Sequence, residues 1–178
     1  SVVTDAAAKL GISWYVVGAT ARDLILKYGH DIRTTSATDD IDLAVSVSSW
    51  SDYQSLVSAL LANHSIRAEL GVAHRFLFNE TLPVDIVPFG AISRNDKIEW
   101  PNEDREMSVL GFEDASHSTI RVVLTGYVTV DVVSIPGLLL LKLVAWKDRH
   151  VAMPGRDGPD IRELLLSYSE TWNIDRLY

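Results

Sequence analysis

The chain has 178 residues, 47% of them hydrophobic, which is enough for one domain with a sizeable core. Acidic side chains outnumber basic ones by 24 to 16, and the net charge of −8 argues against a sequence-independent nucleic-acid binder, which would present a basic face. The absence of cysteine excludes disulfides and thiolate metal sites.

Asp5 to Leu10 reads as a short helix ended by Gly11, and Ser13 to Val17 as an apolar, β-branched strand broken by Gly18. Thr20 to Tyr28 is the next predicted helix, closed by Gly29, and His30 to Thr38 a polar loop. Asp40 to Val47 is the clearest strand, and Ser51 to Asn63 an amphipathic helix. Arg67 to Phe78 and Leu82 to Phe89 read as two strands joined by a turn at Asn79 to Thr81. Ala91 to Asp114 reads as a long excursion with some extended structure, and Thr119 to Tyr127 with Thr129 to Val133 as a further strand pair. Ile135 to His150 is an apolar helix with Pro136 in its first turn, and Pro159 to Tyr168 a final helix after a loop. The run from Ile135 to Trp146 is interrupted by Lys142 and too short to span a bilayer, and no secretory signal is visible. The expected location is therefore cytoplasmic, with no membrane partner. The chain begins at Ser1 without an initiator Met, so whether the natural N-terminus lies upstream stays open.

The chemistry is concentrated in Asp40-Ile41-Asp42-Leu43-Ala44-Val45-Ser46-Val47. Strand alternation puts Ile41, Leu43, Val45 and Val47 on one face and Asp40, Asp42, Ala44 and Ser46 on the other. Two carboxylates then project together, roughly 7 Å apart along the backbone. Like charges that close favour a cation between them, and a site for two divalent ions about 4 Å apart suits such oxygen ligands. Asp85 is a lone carboxylate in the apolar strand Leu82 to Phe89, where an unpartnered acid is costly. A metal shared with Asp40 and Asp42 would satisfy it; so would a structural salt bridge to Arg75. Upstream, Val17-Gly18-Ala19-Thr20-Ala21-Arg22-Asp23 leads from a strand through a small-residue turn into a helix N-terminus. Such a terminus attracts phosphate. There Gly18 and Ala19 would let a phosphate approach the backbone, Thr20 would donate to it or cap the helix with Asp23, and Arg22 would add charge or lie on the surface.

In this order, the Gly18 turn, Asp40-x-Asp42 and the later Asp85 resemble the pattern of nucleotidyltransferases of the DNA polymerase β superfamily. The resemblance covers roughly Trp14 to Phe89. Ala19 stands where the family usually has Gly or Ser, and the gap from the turn to Asp40 is longer than in its tightest members. Leu141-Lys142 with Ala145 and Arg149, followed by Arg156-Asp157 and Asp160-Ile161, is similar to the AbiEii/AbiGii group, although Arg156 replaces the usual Lys. That group consists typically of type IV toxin–antitoxin toxins, and some relatives add nucleotides to tRNA. On its helix Lys142 shares a face with Ala145, Trp146 and Arg149, where it would reach a triphosphate or snorkel to solvent. By resemblance Asp160 orients Lys142 or touches the nucleotide. His74 reads as a packed strand residue, and the tryptophans as core, with Trp146 also able to stack on a base.

The resulting expectation is a single α+β domain over residues 1–178, with a sheet-containing catalytic core over 1–133 and C-terminal helices over 134–178. It would have the small mixed sheet of the nucleotidyltransferase fold, with helices packed on it. Asp40, Asp42 and Asp85 would hold two Mg²⁺ ions, and Gly18, Ala19, Thr20, Arg22, Lys142 and Asp160 would bind the NTP. The reaction implied is transfer of NMP to a hydroxyl of tRNA or another RNA end, a protein or a small molecule, with an antitoxin as a possible partner. The alternatives are an antibiotic-inactivating nucleotidyltransferase, which suits an acidic chain and a cationic aminoglycoside, a CCA-adding type of enzyme, and a non-catalytic nucleotide-binding module.

Overall fold

The computed structural model describes residues 2–34, 38–101 and 105–171. Parts of the predicted loops at 30–38 and 91–114, and the C-terminal residues from 172 on, lie outside them. Helix α1 (Val2–Leu10) leads to strand β1 (Ser13–Val17) and helix α2 (Gly18–Asp23), which widens into a π-helical segment at Leu24–Gly29. Strand β2 (Ile41–Ser46), helix α3 (Trp50–Leu61) and strands β3 (Ile66–Ala68), β4 (Arg75–Phe78) and β5 (Leu82–Phe89) follow. Strands β6 (Lys97–Glu99) and β7 (Glu106–Ser108) pair with each other apart from the main sheet. The short helix α4 (Phe112–Ser116), the hairpin β8 (Thr119–Val123) and β9 (Thr129–Val133), and helices α5 (Ile135–Arg149) and α6 (Gly158–Ser167) complete the fold.

Seven strands form one mixed sheet in the order β3-β4-β5-β2-β1-β9-β8. β2 lies at its centre, parallel to β5 and antiparallel to β1. Central strands are covered on both faces, so their residues are buried whichever way they point. Leu43, Ala44 and Val45 are all buried accordingly. A carboxylate is tolerable on this strand only toward its end, where the cover thins; Asp42 is the second residue of β2 and Asp40 just precedes it.

Two sequence expectations are corrected. Arg67 to Phe78 is not one strand but a hairpin of β3 and β4. Gly71 sits at φ +81°, a left-handed conformation that turns the chain, and the Glu69 amide donates to the Arg75 carbonyl at 2.9 Å to close the loop. The helix expected from Thr20 starts at Gly18 instead, so Thr20 lies inside it and does not cap it.

Helix α5 starts as predicted. Ser134 caps it by accepting from the Gly137 amide at 3.3 Å, and Pro136 lies in the first turn, where its missing N–H costs nothing. A Cβ on Gly137 would stand 2.7 Å from the Val133 side chain, so glycine lets α5 pack closely on the end of β9. No helix among the described residues is long and apolar enough to cross a membrane.

Candidate active site

Strand register assembles the acidic cluster. On the parallel pair β2 and β5, Asp42 lies directly opposite Asp85. Asp40 joins them from the chain just before β2. One carboxylate oxygen from each of the three can be chosen so that all lie within 4.8 Å of one another. Asp85 is 7% exposed, whereas the Asp40 side chain is 34% exposed at the rim. The carboxyl of Asp42 is pushed up from 3.8 to about 6, first by burial and then by the charges of Asp40 and Asp85. Lys142 and Arg75 oppose that shift without cancelling it. A carboxyl that resists ionisation because it is buried beside two other acids is one that a cation would relax. The donor set fits a hard divalent cation: oxygen ligands only, convergent and partly desolvated.

The Gly18 turn serves this cluster directly. Val17 pairs with Asp42 in the antiparallel register of β1 and β2, so the turn after Val17 lies over the Asp42 carboxylate. Gly18 has φ +66°, and a Cβ there would collide with that carboxylate. Its lack of a side chain is therefore needed twice, by the backbone and by the acid beneath it. The Thr20 hydroxyl donates to the Asp40 carbonyl at 2.8 Å, fixing the chain as it enters β2. Thr38 donates to an Asp40 carboxylate oxygen at 3.1 Å. Beside these threonines lies a cavity of about 350 Å³, lined by Thr20, Asp23, Lys27, Tyr28, Thr34 and Thr38 among others.

Arg75 is the register partner of Asp85 on the antiparallel pair β4 and β5. Its Nε and Nη2 donate to the two Asp85 oxygens at 2.6 and 2.7 Å, and Nη2 stands 3.6 Å from Asp40 Oδ2. The salt bridge and the acidic cluster, alternatives at the level of sequence, thus coexist. His74 is buried but lies in the turn before β4, with its ring centroid 5.5 Å from that of Trp100.

The C-terminal helices bring a second set of charges toward the acidic cluster. Lys142 Nζ is 2.6 Å from Asp160 Oδ2 and 3.7 Å from Asp157 Oδ1. Arg149, two helical turns further along α5, donates from Nε and Nη2 to Asp157 at 2.7 and 2.6 Å. Both cations act electrostatically on Asp42. Burial alone would raise the pKa of Asp157 and Asp160, but the bonds and charge of Arg149 on the first, and of Lys142 and Arg22 on the second, hold both below the ordinary carboxylate value.

Arg22 is not at the surface and is not presented to a phosphate. It is 1% exposed, with Nη1 donating to Asp160 at 2.5 Å, Nε and Nη2 to Asp23 at 2.9 and 2.7 Å, and Glu163 Oε2 at 3.6 Å. It binds α2 to α6. Ala19 is half-buried at the head of α2, and the Thr20 proton is committed to Asp40. Trp146 is half-exposed and stacks on His150 at 4.9 Å, while Trp100 is core. Sequence reasoning gave Arg149 and Asp157 no role; the heptad spacing of Lys142 and Arg149 on one helical face was the available signal.

No family model matches the chain. No curated protein matches it. The fold is similar to that of solved structures. The solution structure of the antibiotic-resistance factor ANT(2'')-Ia is 15% identical with a TM-score of 0.53, and the match covers 96% of this chain and 83% of that one. The crystal structure of ANT(2'')-Ia in complex with adenylyl-2''-tobramycin is 16% identical with a TM-score of 0.54, covering 93% and 85%. The mixed sheet and its helices are those of the nucleotidyltransferase fold.

Proposed function

We propose that this protein is a metal-dependent nucleotidyltransferase that moves NMP from an NTP to a hydroxyl of a small, cationic acceptor. The observation that carries this reading is the convergence of Asp40, Asp42 and Asp85 within 4.8 Å on a nucleotidyltransferase fold. Support for the acceptor class comes from the neighbour solved with adenylyl-2''-tobramycin, a small molecule already bearing the transferred group. The chain's net charge of −8 suits a cationic acceptor and not a polyanion. RNA and protein acceptors and an antitoxin partner have no comparable support.

Asp40, Asp42 and Asp85 would hold two divalent cations, which when bound supply Lewis-acid stabilisation of phosphate charge and lower the pKa of an acceptor hydroxyl. The acceptor oxygen bonds to the α-phosphorus, the bond from that phosphorus to pyrophosphate breaks, and the hydroxyl proton leaves to a carboxylate of the cluster. Lys142, held by Asp160, supplies fixed positive charge for the triphosphate. Gly18 and Ala19 would bring the backbone N–H groups at the head of α2 toward it. Thr20 and Thr38 keep Asp40 in place. The cavity beside them, with its hydroxyls, the Asp23 carboxylate and Lys27, would admit a polyhydroxylated ligand.

The test is transfer of label from each α-labelled NTP, with Mg²⁺, to aminoglycosides and, in parallel, to total tRNA. Labelled aminoglycoside is expected with wild type and a loss of at least about 100-fold with Asp42→Asn. Equal labelling by the variant would refute the catalytic assignment, and labelled tRNA alone would refute the acceptor class.

A further inference from the structure

Arg75 is bonded to one of the three acids that a cation would need. Both oxygens of Asp85 accept from its guanidinium, at 2.6 and 2.7 Å, and Asp40 is 3.6 Å away. Asp85 is nearly buried, so it has little other surface to offer, whereas Arg75 is 31% exposed and has room to swing toward solvent. A divalent ion shared by Asp40, Asp42 and Asp85 and a guanidinium bonded through both Asp85 oxygens compete for the same charge. We propose that Arg75 is a resident counter-ion of the metal site, neutralising Asp85 until a divalent cation displaces it, so that it sets the metal affinity of the site. This rests on the metal-dependent reading of the acidic cluster.

The geometry distinguishes Arg75 from a static strut. The Arg75–Asp85 pair is a cross-strand contact fixed by the β4–β5 hairpin, so the side chain is held near the site whether or not it is bonded to Asp85. Its charge is also the nearest positive charge to two of the three acids, which repel each other and Asp42 without it. A guanidinium keeps its charge at every accessible pH, so only an exchange of partners, and not deprotonation, can release Asp85. Lys142 acts on Asp42 from a distance but is bonded to Asp160 and Asp157, so it does not take the place of Arg75 on Asp85.

The chain carries its own control. Arg121 and Asp131 are likewise register partners across an antiparallel pair, β8 and β9, with Nε to Oδ1 at 3.5 Å, far along the sheet from the acidic cluster. Arg121→Met removes the same charge without touching the site. The experiment titrates Mn²⁺ into wild type, Arg75→Met, Arg75→Lys and Arg121→Met without nucleotide, reading free ion by electron paramagnetic resonance and folding by circular dichroism. Arg75→Met is expected to bind Mn²⁺ at least about tenfold more tightly than wild type. Arg75→Lys, which keeps the charge but cannot make the two-pronged bond, should fall between them, and Arg121→Met should match wild type. If Arg75→Met proves unfolded, the tightening by Arg75→Lys decides. Wild-type binding with unchanged or weaker affinity in the Arg75 variants would overturn the counter-ion role while leaving the metal site standing. Failure of every protein to bind Mn²⁺ would instead overturn the metal-dependent reading and the counter-ion with it.

Discussion

Gly18 offers the sharpest test of how the turn and the acids depend on each other, because Gly11 provides a matched reference. Both glycines have φ +66°. Around a Cβ built at Gly11 there is nothing within 4 Å, whereas one at Gly18 collides with the Asp42 carboxylate. Gly→Ala at a left-handed position costs about 1–2 kcal/mol in backbone strain, less the few tenths to 1 kcal/mol recovered from a stiffer unfolded chain. Gly11→Ala should therefore lose about 1 kcal/mol and keep its metal affinity. Gly18→Ala carries the same backbone cost plus the displacement of a largely buried carboxylate, for a total of about 2–4 kcal/mol. It should also weaken Mg²⁺ binding at least about tenfold, since one of the three proposed ligands is turned away. Urea unfolding of the metal-free proteins gives the first number and calorimetric titration with Mg²⁺ the second. Equal destabilisation by the two substitutions, with wild-type Mg²⁺ affinity in Gly18→Ala, would show that the turn does not shape the carboxylate site.

Two further outcomes follow from the charges. Asp42 titrates near 6 in the folded protein and near 3.8 when unfolded, so between about pH 4 and 6 the native state holds the extra proton and metal-free stability falls as pH rises. The loss is about 3 kcal/mol at roughly 1.4 kcal/mol per pH unit across that window. It should disappear in Asp42→Asn and shrink with saturating Mg²⁺ above pH 7; an unaltered thermal profile in Asp42→Asn would sink it. Asp157 and Asp160 act in the opposite sense, and their contribution is lost only as pH falls below about 4. Arg22→Met should cost about 3–5 kcal/mol, because it leaves Asp23, Asp160 and Glu163 facing one another without their central cation. A loss under about 1 kcal/mol in urea unfolding would mean that Arg22 does not bind α2 to α6.

Residues whose placement follows from local periodicity were legible in the sequence. Asp40 and Asp42 stand out because apolar alternation on β2 leaves two acids on one face, and Asp85 because an acid interrupts an apolar strand. The turn at Asn79 to Thr81 even fixes the register of β4 on β5, which puts Arg75 opposite Asp85. What periodicity cannot supply is the relation between distant segments. The parallel register of β2 and β5, which sets Asp42 against Asp85, comes from packing through a crossover and not from any local signal. For the same reason Arg22 read equally well as a surface residue or a phosphate ligand. Only its separation by 138 positions from Asp160, closed by folding, makes it a buried strut. The β3–β4 hairpin was missed because Gly71 was read as part of a strand and not as a turn.

The two charged networks meet at helix α2. The head of α2 carries Gly18 over Asp42 and Thr20 on Asp40, and its last turn carries Arg22 into the α6 carboxylates. Asp160 is bonded at once to Arg22 and to Lys142. A shift of α2 therefore moves the bed of the acidic cluster and the anchor of the principal cation of α5 together. Tertiary positioning of this kind is what the proposed phosphoryl-group chemistry would demand, because such catalysis comes from charges fixed before the substrate arrives and not from their rearrangement. Arg75 is the exception that the strand register allows: it is the cation bonded to the acidic cluster itself, and its partner, Asp85, is one that a metal ion would claim.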